Sequence, residues 1–182
     1  MHEFLLINWM NPISIYDVFF GGKPDGFYSF TYDLGNDFFT LFPDAPVQEG
    51  NLKVHLTMEK KSSLLILDFN IIGHLFLICD NCLEKFSSPL ELSFKQYIKL
   101  GNTYEELDDV TISIPRNVDK VNVAQWIYEA IVLSIPMRHI HPVDKNGHST
   151  CNPEMIKKIK DYSNKNNIEK DPRWDKLTAL LN

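Results

Sequence analysis

Cysteine is scarce in this chain, three residues in 182, and the odd count leaves no complete disulfide framework. Long apolar runs are missing too. The longest, Ile71 to Ile78, is interrupted by Gly73 and His74 and falls far short of the roughly 20 residues that a bilayer-spanning helix needs. Positive charge is in deficit: 18 Lys and Arg against 24 Asp and Glu give a net charge of −6, which argues against a protein that coats nucleic acid by charge alone. The opening stretch, Met1 to Trp9, carries Glu3 where a secretory leader wants basic residues, and it has no small-residue cleavage site. The expectation is a cytoplasmic protein with reduced thiols. No glycine-rich phosphate loop, His-Glu-x-x-His helix or Gly-x-Ser-x-Gly elbow occurs, and no small-molecule substrate is expected. Internal repeats and low-complexity tracts are absent as well.

What is present is enough for one hydrophobic core. A 44% hydrophobic content over this length predicts a single domain spanning 1–182, with a flexible segment at 163–170 around Ser163-Asn164-Lys165-Asn166-Asn167. Large side chains recur at every second position in Tyr28, Phe30, Tyr32 and Leu34. Leu52, Val54, Leu56 and Met58 repeat that pattern up to a Lys60-Lys61-Ser62-Ser63 turn, and Leu65, Leu67, Phe69 and Ile71 resume it. This is a hairpin signature. Further strands are expected from His74 to Ile78 and from Leu90 to Leu100, all in an antiparallel sheet. Asp37 to Phe42 reads as a short helical turn capped by Asp37.

Beyond Pro115 the period changes. Asn122 can cap a helix with Val123, Trp126, Ile127, Ala130 and Ile131 on one face, Gln125 closing a capping box and Pro136 ending it. A second helix is expected from Pro153 to about Tyr162, and Asp171-Pro172 can open a third through Trp174, Leu177 and Leu181. The predicted class is α+β, an antiparallel, β-rich N-terminal two-thirds with a metal knuckle, followed by two or three C-terminal helices.

The knuckle is Cys79-Asp80-Asn81-Cys82. Two cysteines three apart on a turn can direct both sulfurs at one metal ion and so supply half of a tetrahedral site. The third sulfur, Cys151, follows His139, His141 and His148. A Cys3His site from Cys79, Cys82, Cys151 and one of these three histidines closes the coordination sphere, and a closed site is structural rather than catalytic. Three reduced thiols packed as small hydrophobes are the plainer alternative. A redox pair would want its first cysteine opening a helix in a βαβ unit, whereas the flanking pattern here is strand, turn and strand.

Taken in order, the strand running into Cys79-Asp80-Asn81-Cys82-Leu83-Glu84, the Leu133-Ser134-Ile135-Pro136 segment, His141, Cys151-Asn152-Pro153 and Asp171-Pro172-Arg173-Trp174 form a pattern. It resembles the YceD-like family, named for large ribosomal RNA subunit accumulation and also known as domain of unknown function 177. The resemblance runs from about Gly26 to Leu181. It supports His141 and Cys151 as the second ligand pair; the ion expected from the cysteine turn itself is a structural zinc. The resemblance implies a non-enzymatic ribosome-biogenesis factor that supports accumulation or processing of large-subunit ribosomal RNA by binding a ribosomal RNA precursor or a large-subunit ribosomal protein. The alternative is a zinc-stapled protein–protein adaptor with an indirect effect on that RNA.

Charge is distributed unevenly. Residues 151–182 hold seven basic and five acidic groups, a net +2, and residues 1–150 hold the remaining eleven and nineteen, a net −8. Lys157 and Lys160, one helical turn apart, are therefore candidate RNA or partner contacts, together with Arg173 beside Trp174. The run Glu105-Glu106-Leu107-Asp108-Asp109 reads as a solvated loop.

Overall fold

The computed structural model describes residues 12–43 and 46–165. Their contacts fall into two compact units. One comprises the described residues up to Leu77 together with Phe86–Met137, and the other comprises Ile78–Lys85 together with the described residues from Arg138 onward.

The first unit is built on strands. After a 3-10 turn, Pro12–Tyr16, come β1 (Asp17–Phe19), β2 (Gly26–Leu34), the short helix α1 (Asn36–Phe39), β3 (Gly50–Lys61), β4 (Leu64–Ile78) and β5 (Lys85–Gly101). Then β6 (Glu105–Asp108), β7 (Thr111–Pro115), β8 (Lys120–Asn122) and helix α2 (Ala124–Ser134) follow. Six strands form one sheet in the order β2-β3-β4-β5-β7-β6, and β1 pairs β8 separately. Alternation sets the register. Leu52, Val54, Leu56 and Met58 of β3 and Leu65, Leu67, Phe69 and Ile71 of β4 are all buried, whereas their neighbours face outward. A slip of one residue would expose the whole set, so this face fixes the pairing.

Several expectations are revised. The strand expected at His74 is the continuation of β4, because Gly73 permits the chain to stay paired: a Cβ there would lie 2.2 Å from the Asn51 carbonyl oxygen. Strand β5 starts ahead of Pro89, and its pairing with β7 is parallel, so the sheet is not wholly antiparallel. Of the acidic run, Glu105 to Asp108 form edge strand β6, exposed throughout, and Asp109 lies in the turn that follows. Asp37 lies inside α1 rather than capping it, and Gly35 occupies the cap position with no side-chain bond.

Helix α2 begins one residue later than expected, with Val123 rather than Asn122 at the cap position, although Asn122 Oδ1 accepts from the Ala124 N–H at 3.1 Å. Gln125 closes no capping box; its amide donates to Glu129 Oε1 at 2.7 Å, one turn along. Ile127 and Ile131 of α2 are buried in the same hydrophobic cluster as the strand residues and Phe38 and Phe39 of α1. Phe42 and Tyr128 stack with ring centres 4.0 Å apart, and Phe69 stacks on Phe94 at 4.4 Å.

The second unit holds the Cys79–Glu84 turn, the irregular segment from Arg138 to Asn152, and helix α3 (Pro153–Lys165). Residues Ser163, Asn164 and Lys165, expected to be flexible, continue α3. The rest of the 163–170 segment, and the third helix with Arg173, Trp174, Leu177 and Leu181, lie outside the described residues. Among the described residues no helix is long and apolar enough to cross a membrane.

Candidate metal centre

The turn carrying the first cysteine pair closes on itself through the Leu83 N–H donating to the Cys79 carbonyl at 2.9 Å and the Cys79 N–H donating to the Glu84 carbonyl at 2.9 Å. Leu83 has a φ of 61°, a left-handed conformation that costs a branched-chain residue roughly 1–2 kcal/mol. In this conformation the chain reverses, and the Glu84 carbonyl returns to the Cys79 N–H. Cys79 and Cys82 are both buried, although Asp80 between them is exposed.

A second arm brings the remaining donors. The Asp80 N–H donates to the His139 carbonyl at 2.7 Å, and the His139 N–H donates to Asp80 Oδ2 at 2.6 Å. His141 follows two residues later. Beyond it the chain turns back at Asp144, whose carboxylate accepts from the N–H groups of Asn146 and His148, each at 2.8 Å. These bonds, the one from His148 foremost, hold the Asp144 carboxyl below its ordinary value despite some burial. Val143 and Ser149 form an isolated bridge, and the segment arrives at Cys151.

Helix α3 then opens with Asn152 as its cap, accepting from the Glu154 N–H at 3.0 Å, and with Pro153 at the first helical position. The Asn152 amide also donates to Glu84 Oε1 at 2.7 Å, tying the start of the helix to the cysteine turn.

Four candidate ligands converge. One donor atom from each of Cys79, Cys82, His141 and Cys151 lies within 4.8 Å of every other. The Cys79 and Cys151 sulfurs are 3.7 Å apart, and His141 Nδ1 is 3.3 Å from the Cys82 sulfur and 3.7 Å from that of Cys151. All three cysteines are free thiols. The donor set, three soft sulfurs and one imidazole nitrogen, can hold a metal ion.

Local electrostatics differ between the paired cysteines. Burial acts to raise the Cys79 thiol, but hydrogen bonds from the Cys82 backbone, the His141 side chain and the backbones of Asn81 and His141 outweigh it and bring the thiol down to about 6. A thiolate is therefore readily available as a ligand. At Cys82, burial, with the neighbouring Cys79 and Cys151 sulfurs adding to it, raises the thiol against opposing backbone bonds from Asn152 and Glu84.

Of the three histidines on the arm, His141 alone joins the cluster. His139 contributes its backbone to Asp80, and His148 is exposed with Nδ1 3.5 Å from Asp144 Oδ2. Lys157 and Lys160 are exposed on α3 and line one shallow cleft with Ser149, Cys151, Pro153 and Ile156. Sequence reasoning missed Asp80, Glu84 and Asn152, which connect the two arms; Asp80 and Asn152 stand directly beside a cysteine and Glu84 two residues after Cys82.

A family model described as "Large ribosomal RNA subunit accumulation protein YceD" matches residues 67–181, which contain the whole cysteine and histidine cluster. The chain belongs to that family. No curated protein and no solved structure gives a match.

Proposed function

We propose that the protein is a non-enzymatic, cytoplasmic factor in large-subunit ribosome biogenesis, stapled by one structural zinc ion held by Cys79, Cys82, His141 and Cys151. The observation that carries this reading is the closed four-donor cluster in a chain whose family is named for ribosomal RNA accumulation. With zinc–sulfur bonds of about 2.3 Å and zinc–nitrogen bonds of about 2.0–2.1 Å, a regular tetrahedron has edges of about 3.8 Å between sulfurs and about 3.6 Å between sulfur and nitrogen. The observed 3.7 Å, 3.3 Å and 3.7 Å separations fit it with small adjustments. Four protein ligands leave no position for a reactive water, which is why the reading is structural.

When bound, the ion supplies cross-links between the cysteine turn and the segment 138–152. Cys151 stands two residues before α3, so the same ion fixes the first turn of that helix. Lys157 and Lys160 are then presented from an anchored helix, where they can contact phosphate of a ribosomal RNA precursor or an acidic patch of a large-subunit ribosomal protein. Arg173 is a further candidate contact in the same C-terminal region.

The test is genetic and biochemical. In a strain lacking the gene, the parent protein should restore large-subunit ribosomal RNA levels and co-sediment with pre-ribosomal particles in a salt-sensitive manner. Restoration with no particle association at any salt concentration would favour the zinc-stapled adaptor with an indirect effect.

A further inference from the structure

A groove of about 870 Å³ runs along the first unit between β5, the β6 and β7 hairpin, and α2. Leu92 and Phe94 from β5 and Trp126 and Ala130 from α2 give it an apolar strip, flanked by the polar Ser93, Gln96 and Ser134. Three exposed apolar side chains reach its edges, Leu133 at 85% exposure, Val110 at 46% and Leu107 at 43%. Leu133, Val110 and Leu107 give the groove a contiguous set of exposed apolar side chains rather than one isolated leucine.

The charged groups lining the groove are mostly acidic. Among the described residues Glu106, Asp108, Asp109 and Glu129 stand against Lys95, which is paired with Asp68 at 2.8 Å. An RNA backbone brought here would meet four carboxylates, and like charges at close range repel. A segment bearing lysines or arginines around an apolar stripe meets carboxylates from both the β6 and β7 hairpin and α2.

We infer that this groove binds a basic amphipathic segment of a protein partner, its apolar residues seated on Phe94, Trp126 and Leu133 and its cations facing Glu106, Asp109 and Glu129. The apolar strip supplies affinity by burial, and the carboxylates set orientation and exclude acidic or phosphate-bearing competitors. The groove lies wholly within the first unit, and the inference does not depend on the metal centre.

The probe is a fluorescently labelled helical peptide of about 16 residues, with leucines at i, i+3, i+4 and i+7 spacing and lysines elsewhere, titrated against the full-length protein by anisotropy. The parent should bind it with an affinity that falls as salt rises, and should not bind the same peptide with glutamates in place of lysines. Leu133→Asp, and separately Asp109→Lys with Glu129→Lys, should each weaken binding by at least about tenfold while leaving the thermal transition unchanged, since these positions are solvent-facing. Equal binding of both peptides, or binding indifferent to both variants, overturns the inference. It is equally overturned if Leu133→Asp weakens binding of a single-stranded RNA instead, or if sedimentation shows that the groove holds a second copy of this chain and Leu133→Asp separates the pair.

Discussion

Asp80 and His139 hold each other by both ends: the Asp80 N–H reaches the His139 carbonyl at 2.7 Å while Asp80 Oδ2 receives the His139 N–H at 2.6 Å. This pair registers the cysteine turn against the arm that carries His141, so the fourth donor is positioned by a residue that contributes no donor itself. Outer groups of this kind typically influence metal affinity by roughly 10–100-fold. Asp80→Ala should therefore weaken zinc binding by at least about tenfold in a chelator competition, and Asp80→Asn, which keeps an acceptor oxygen, should recover most of the loss. Equal affinities in all three proteins would show that the clasp is idle.

Removing a ligand should be more damaging than removing the clasp. Cys82→Ser leaves a three-donor site with a buried hydroxyl in place of a thiolate. If free zinc exceeds the dissociation constant a thousandfold, binding contributes about 4 kcal/mol to the folded state, and the variant should forfeit most of it. Hydrogen exchange should report the loss at Cys79–Glu84 and at the start of α3, with His148→Ala as the unaffected control because that ring is outside the cluster.

A pH dependence comes from Asp17. Burial acts to raise its carboxyl, but hydrogen bonds from Lys120 and Asn122 and the charge of Lys120 prevail and lower it. Asp17 lies opposite Asn122 where β1 meets β8, with Lys120 Nζ at 2.8 Å and the Asn122 amide at 2.7 Å. Because the folded-state value lies below the unfolded one, the stabilisation is complete above the usual carboxylate range and is lost as pH falls through the lowered value. Asp17→Asn should cost about 1–2 kcal/mol at pH 7, a hydrogen-bonded charge half screened by the exposed Lys120. The gap between variant and parent should close in urea titrations carried well below pH 4; a gap constant with pH would assign the effect to packing.

Lys157 and Lys160 carry the proposed contact with RNA or ribosomal precursor. Changing both to glutamate should move stability by less than about 0.5 kcal/mol, because both are exposed on α3. Association with pre-ribosomal particles should weaken and its salt dependence flatten. If the double variant sediments with particles and restores ribosomal RNA levels as the parent does, the contact is elsewhere.

The alternating residues of β2, β3 and β4 announced their strands because one face is buried and the other wet, a signal that survives in the sequence alone. Pairings that depend on distant partners carried no such signal. Strand β7 lies parallel to β5, and β8 finds β1 across about a hundred residues, with Asn122 and Asp17 meeting only after folding. Gly73 suggested a break, yet what it supplies is room for the Asn51 and Leu52 backbone beside an unbroken β4. In the candidate site, Cys79, Cys82 and Cys151 were legible by residue type. The choice of His141 over His139 and His148 follows from how backbone bonds to Asp80 and Asp144 fold the arm around it, which spacing does not encode.

The four donors Cys79, Cys82, His141 and Cys151 should hold one ion. Protein purified from zinc-containing medium should carry about one equivalent of zinc by elemental analysis, with an X-ray absorption edge fitted by three sulfurs and one nitrogen and thiols that become titratable only after chelation. Full-length folded protein with no stoichiometric metal and three freely titratable thiols would contradict it.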